Sequence, residues 1–258
     1  MIKKFINSSL NKLGYEIKSK KKILINNSIP VEFNRAELEI INYIMSNKLT
    51  MASCERLYAT VMACKYVLDN DIQGDFVECG VWRGGNALAA AEIFKIYGSD
   101  KKVWLFDTFQ GMTAPTDVDI GALSKESAKF KYEANQNKTH NTWCYASLDE
   151  VRNNFAKRKV TSNVFFIQGN VNQTLTSDIT ERLNKISILR LDTDFYESTK
   201  KEIEVLYPKL SIGGVLIIDD YGHWQGSRKA IDEYFKQNPK KPFLQYIDYT
   251  GRMGVKNS

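Results

Sequence analysis

The 258-residue sequence is poor in the spacings that build metal fingers and disulfide frameworks. Its four cysteines, Cys54, Cys64, Cys79 and Cys144, form no CxxC pair and no metal-finger spacing. Cys79 sits inside an apolar strand pattern, as a buried free thiol does, so a reducing, cytoplasmic setting is expected. No run of 18 apolar residues occurs, so no transmembrane helix is expected. The N-terminus lacks the continuous apolar stretch of a secretory signal. There is no internal repeat and no low-complexity segment beyond one lysine cluster.

What is present is ordinary globular composition. Hydrophobic residues make up 43% and charged residues 26%, which argues against wholesale disorder, collagen and coiled coil. The net charge of +6 suggests a nucleic-acid binder until it is located. Residues 1–22 hold seven lysines against one acid, Glu16, so the remainder is electrically neutral. The positive charge belongs to an arm, and no nucleic-acid partner is expected. Ile2, Phe5, Ile6, Leu10, Leu13 and Ile17 recur at near-helical spacing between those lysines and predict a basic amphipathic helix. Such a helix either contacts a membrane surface or packs on the body or on a second copy in a dimer.

From residue 75 onward strands and helices alternate. Short apolar strands are expected at 76–79, 103–106, 164–167, 186–191 and 215–218. Helices are expected at 87–97, 124–134, 176–184, 197–207 and 226–237, with a capping box at Ser147 to Glu150 opening another. Two further helices, 35–47 and 54–69, precede the first strand. Residues 243–249 and 252–255 flank Thr250-Gly251 and read as a closing hairpin. This alternation predicts an α/β fold with a doubly wound, mostly parallel seven-stranded sheet and an antiparallel C-terminal hairpin. Two parts are expected: a basic arm and helical extension over 1–48, and the main domain over 49–258.

Ligands of open α/β sheets bind at the carboxyl ends of the strands. The first strand ends in Glu78-Cys79-Gly80-Val81-Trp82-Arg83-Gly84-Gly85. Trp82 stands where a GxGxxG dinucleotide fingerprint needs its second glycine, and no P-loop is present. Asp107 ends the second strand, where a carboxylate can accept both ribose hydroxyls of a nucleoside or cap a turn. Asn170 follows the third strand, facing an adenine edge or making a turn. Strand four ends in Asp192-Thr193-Asp194, whose two acids, two apart on a strand, share a face and can point the same way. Strand five ends in Asp219-Asp220. Four carboxylates in one cleft repel one another. Either a divalent cation gathers them, with oxygen ligation favouring Mg²⁺, Mn²⁺ or Ca²⁺, or they cap helices and pair with Arg190, Arg228 or Lys229.

The residues 74–85, 107–111 (Asp-Thr-Phe-Gln-Gly), 191–199 and 219–222 together resemble the macrocin O-methyltransferase family. The match runs in order over roughly residues 50–235. It implies a Rossmann-like class I fold and transfer of a methyl group from S-adenosylmethionine (SAM) to a sugar hydroxyl. At matching positions it implies Asp192, Asp219 and Asp220 as metal ligands and Asp194 as general base. It implies Glu78, Gly80 and Asp107 as SAM ligands, with Gly84 in the same turn. Thr50-Met51 resembles the segment that closes over the methionine end of the cofactor. His223 is the alternative base, and His140 is expected at the surface. Tyr132, Trp143 and Tyr145, in the long stretch 108–146, either stack on the acceptor or pack the core. The Lys- and Asn-rich composition points to a nucleotide-linked sugar for capsule or lipopolysaccharide. A natural-product sugar, a catechol-type acceptor, a nicotinamide-dependent oxidoreductase and a non-catalytic interaction protein are the alternatives.

Overall fold

In the computed structural model, residues 29–257 are described. The basic helix expected over 2–17 lies outside them. Two helices come first, α1 (Arg35–Ser46) and α2 (Cys54–Asp69). Asn34 caps α1 through a full capping box with Glu37, and Ser53 caps α2 by accepting from Arg56 N. Then follow β1 (Asp75–Cys79), α3 (Gly85–Ile96), β2 (Val103–Asp107), α4 (Ala128–Ala134), α5 (Leu148–Lys157) and β3 (Val164–Gln168). The short helices α6 (Val171–Thr174) and α7 (Ser177–Arg182) lead to β4 (Ile186–Leu191), α8 (Tyr196–Leu206) and β5 (Leu210–Ile218). The chain closes with α9 (Gln225–Gln237), β6 (Gln245–Tyr246) and β7 (Arg252–Val255).

The seven strands form one sheet in the order β3-β2-β1-β4-β5-β7-β6. The first five are parallel and β7 runs antiparallel to β5, the doubly wound sheet with an antiparallel edge that the alternation predicts. Strand parity sorts the core into two faces. Phe76, Leu105, Ile188 and Ile217 join the cluster that holds α1, α2 and α3. Val77, Trp104, Leu189 and Ile218 join the cluster under α8 and α9. Ile40, Ile41 and Ile44 of α1, which the sequence reading assigns to the N-terminal extension, are buried in the first of these. Each fully buried Ile or Leu contributes about 1.5–3 kcal/mol.

Several local expectations change. The fifth strand, expected from 215, starts at Leu210 and so takes in Gly213-Gly214, with Gly213 at φ 82°. The hairpin's first arm shrinks to Gln245–Tyr246. The helix expected from 124 starts at Ala128. Only half of the capping box at Ser147 forms: its side chain accepts from Glu150 N, but the Glu150 carboxylate turns to Arg83 Nε at 2.5 Å. An ion pair with a guanidinium outcompetes a neutral backbone amide for that oxygen.

The long segment between β2 and α5 is tied across the top of the sheet by Asp119. Fully buried Asp119 accepts from Thr116 N and Oγ1 through Oδ2. Its Oδ1 accepts from Tyr196 N at 2.7 Å. Phe195, the N-cap residue of α8, has no side-chain acceptor, so this distant carboxylate satisfies the first turn instead.

Candidate functional site

The cleft lies at the carboxyl ends of β1, β2, β4 and β5, and its volume of about 300 Å³ is in the range of small-molecule sites. Backbone bonds continue the sheet past the strand ends and align the turns that line it. Gly80 N donates to Phe106 O, Asp192 N to Cys79 O and Asp219 N to Leu191 O. Gly80 has φ 81°, and a Cβ there would overlap the Asp192 carbonyl. The glycine turn and the β4 end therefore approach as closely as backbone allows.

The expected SAM ligands fall into two groups. Gly80, Asp107 and Met51 line the cleft. Met51 is 57% exposed, on a segment pinned to the glycine turn by Gly85 N donating to Leu49 O. Glu78, Gly84 and Asn170 do not line it. Glu78 is buried beneath the turn and accepts from Arg190 Nε at 2.8 Å. Burial raises its carboxyl to about 7, and the charge and hydrogen bond of Arg190 oppose the rise. Gly84 starts α3 with φ 85°, where a Cβ would press on Phe155 and Val151. Asn170 caps α6, accepting from Asn172 N at 2.9 Å, which is the turn chemistry. Asp107 does both jobs. Its oxygens accept from Val81 N, Trp82 N and Phe109 N, so it shapes the glycine turn while facing the cleft. Burial raises its pKa and these bonds oppose the rise.

Three of the four aspartates meet, but not by strand parity. β4 ends at Leu191, and Asp194 takes φ 71° in the turn that follows. Among the described residues, Asp192, Asp194 and Asp220 each bring one oxygen within 4.8 Å of the others. Asp219 stands apart from that group: Arg190 Nη2 donates to its Oδ1 at 2.5 Å, and Arg56 Nη1 to its Oδ2. Arg190 Nη2 also reaches Asp192 Oδ2 at 2.7 Å. Of the suggested partners, only Arg190 pairs with the cluster. Arg228 donates to Tyr221 O, and Lys229 lies 4.0 Å from Glu233.

Asp194 and Asp220 have no ion-pair partner among the described residues, and Asp220 Oδ2 is buried without a donor. Burial, then the charge of Asp192, lifts Asp194 from 3.8 to about 7. Burial, then neighbouring carboxylates, pushes Asp192 and Asp220 well above the ordinary range. A close group of half-buried and buried acids without enough positive charge is the environment that an oxygen-binding divalent cation fits. Trp224 Nε1 donates to Asp194 Oδ2 at 3.1 Å. His223 also lines the cleft, its pKa lowered by burial and then by Lys131 and Arg56.

The open choice for the aromatics resolves unevenly. Trp143 lines the cleft but packs against Phe195 and Trp224 in a small third core, with Tyr132 beside it. Tyr145 stacks on His140 at 4.2 Å, and neither lines the cleft. Arg56, Asp248 and Asp119 carry no signal in the sequence pattern. Arg190 does: a charge inside the apolar run Ile186–Leu191 has to find a buried partner.

A model of the Macrocin-O-methyltransferase (TylF) family matches residues 17–254. A tetracenomycin 4'-O-methyltransferase acting on a dimethoxy-rhamnosyl compound, from Streptomyces olivaceus, is 33% identical over 78% of this chain and 73% of its own. Demethyldecarbamoylnovobiocin O-methyltransferase from Streptomyces niveus is 34% identical over 73% of this chain and 68% of its own. Mycinamicin III 3''-O-methyltransferase from Micromonospora griseorubida is 34% identical over 78% and 76%. The solved structure of the O-methyltransferase NovP superposes with TM-score 0.71 and 30% identity, covering 81% of this chain and 82% of that one. The glycine turn, the strand-end carboxylates and these likenesses agree: the chain belongs to the macrocin O-methyltransferase family and is a SAM-dependent O-methyltransferase.

Proposed function

We propose that the chain methylates a hydroxyl of a sugar carried by a natural product, with a divalent cation held by Asp192, Asp219 and Asp220 and with Asp194 as general base. The observation that carries this is the group Asp192, Asp194 and Asp220, whose oxygens lie within 4.8 Å of one another in the cleft that the glycine turn and Asp219 also line. Bound there, the cation would hold two neighbouring hydroxyls and make one of them more acidic.

The chain's own residues do the rest. Asp194 takes the hydroxyl proton while the oxygen bonds to the methyl carbon and the carbon–sulfur bond breaks. Trp224 Nε1 donates to Asp194 Oδ2 and orients that carboxyl. Gly80, Asp107 and Met51, which line the same cleft, hold SAM. Methyl transfer needs no covalent intermediate, so fixing donor and acceptor in line supplies much of the rate. His223 is neutral at pH 7 with its lowered pKa and stands as the alternative base.

The names of the curated relatives favour a natural-product sugar over the nucleotide-linked surface-glycan sugar that composition suggests. Two of them specify positions, 4' on a rhamnosyl tetracenomycin and 3'' on mycinamicin III. The test is transfer from labelled SAM to rhamnosylated natural products, nucleotide-linked sugars and a catechol, with Mg²⁺ or with chelator. Chelator-sensitive transfer to the glycosylated products is expected. Transfer to nucleotide-linked sugars alone would return the acceptor to a surface-glycan pathway.

A further inference from the structure

Asp219 is the site carboxylate whose two oxygens are both already neutralised, one by Arg190 and one by Arg56. The two arginines differ in what holds them. Arg190 is fully buried and keeps Glu78 and Asp192 as partners within the sheet. Arg56 comes from α2, lines the cleft, and has a second carboxylate: its Nε donates to Asp248 Oδ2 at 2.9 Å. Asp248 sits before β7 and is anchored there by Thr250 N, Gly251 N and Ser53 Oγ. Burial works against its charge, but these donors and Arg56 hold it down to about 2. Arg56 can therefore leave Asp219 without becoming an unpaired buried charge, the costly state for any such group.

We propose that Arg56 is an internal counterion that competes with the bound cation for Asp219, with Asp248 as the carboxylate it falls back on. The proposal rests on the cation reading given above. Without a cation, Arg56 supplies positive charge to a group of acids that would otherwise repel one another. With one bound, guanidinium and dication repel across a cleft of low dielectric, and Arg56 keeps only its Asp248 contact. Cation affinity is then set partly by residues on α2 and the C-terminal hairpin, outside the carboxylate group itself.

The test is calorimetric titration of Mg²⁺ into the full-length protein and into R56Q, D248N and R56Q/D248N. R56Q removes the competitor and is expected to bind Mg²⁺ at least about tenfold more tightly. D248N removes the fallback, commits Arg56 to Asp219, and is expected to bind at least about threefold more weakly. The double variant should follow R56Q, since Asp248 acts through Arg56. Without Mg²⁺, R56Q should melt below the wild type, and saturating Mg²⁺ should narrow the gap. Unchanged or weaker binding by R56Q would overturn the proposal, because Arg56 would then be positioning Asp219 for the cation. D248N binding as tightly as the wild type would overturn the fallback, and this arm stands even if R56Q does not fold. If the wild type takes up neither Mg²⁺ nor Mn²⁺, the cation reading itself fails; failure confined to the variants leaves that reading standing.

Discussion

Arg190 on β4 lies directly opposite Glu78 on β1 in the strand register, and its Nε meets Glu78 Oε1 at 2.8 Å with both side chains buried. One guanidinium thus links the strand under the glycine turn to Asp192 and Asp219 at the ends of β4 and β5. The acid of the glycine-turn motif is thus tied into the sheet by Arg190 and does not line the cleft.

Removing Arg190 leaves three carboxylates without their common partner. Arg190→Met should lower stability by about 3–5 kcal/mol, and Glu78→Gln should also destabilise. The double variant should cost less than the two singles summed, because they share one contact. Urea unfolding of the four proteins measures this; strictly additive losses would show that the pair is not coupled.

Gly80→Ala places a methyl group against the Asp192 carbonyl at φ 81°. The left-handed strain alone costs about 1–3 kcal/mol. SAM affinity, read by calorimetry, should fall at least about tenfold as the turn moves away from β4. Gly98→Ala is the control: its φ is 69°, nothing lies near the added carbon, and SAM binding should not change.

Asp194→Asn keeps the shape of the base and removes its capacity to take a proton. Its kcat should fall about 10²–10⁴-fold with SAM affinity retained. Trp224→Phe, which removes the donor to Asp194 Oδ2, should lower kcat less and leave the KM for SAM unchanged. Full activity of Asp194→Asn would transfer the proton to His223.

Asp194 titrates near 7 in the folded, cation-free protein and near 3.8 when unfolded. Between those values the folded state holds a proton that the unfolded state has lost, so this group makes stability fall as pH rises through that window. Thermal melts of chelated protein from pH 4 to 8 should show the decline. Asp194→Asn should flatten it, and Mg²⁺ added at pH 8 should restore stability.

Local pattern carried a large part of this protein's design. Apolar runs of strand length, each followed by helical periodicity, dictated the parallel sheet, because burial on both faces demands continuous apolar strands. The ordered motifs at residues 78–85, 107–111, 191–199 and 219–222 placed the chemistry at the carboxyl edge for the same reason. Direction and partnership beyond the strand ends were not legible. Asp194 reaches its neighbours through a left-handed turn, not by alternation along β4. Arg56 meets Asp219 across 163 residues of chain, Ser53 meets Asp248 across 195, and Asp119 caps a helix 77 residues away. Backbone periodicity is a local property, whereas a buried charge takes whichever partner folding delivers to it. The list of acids was therefore written in the sequence, and their division between arginine and the cleft was settled by packing.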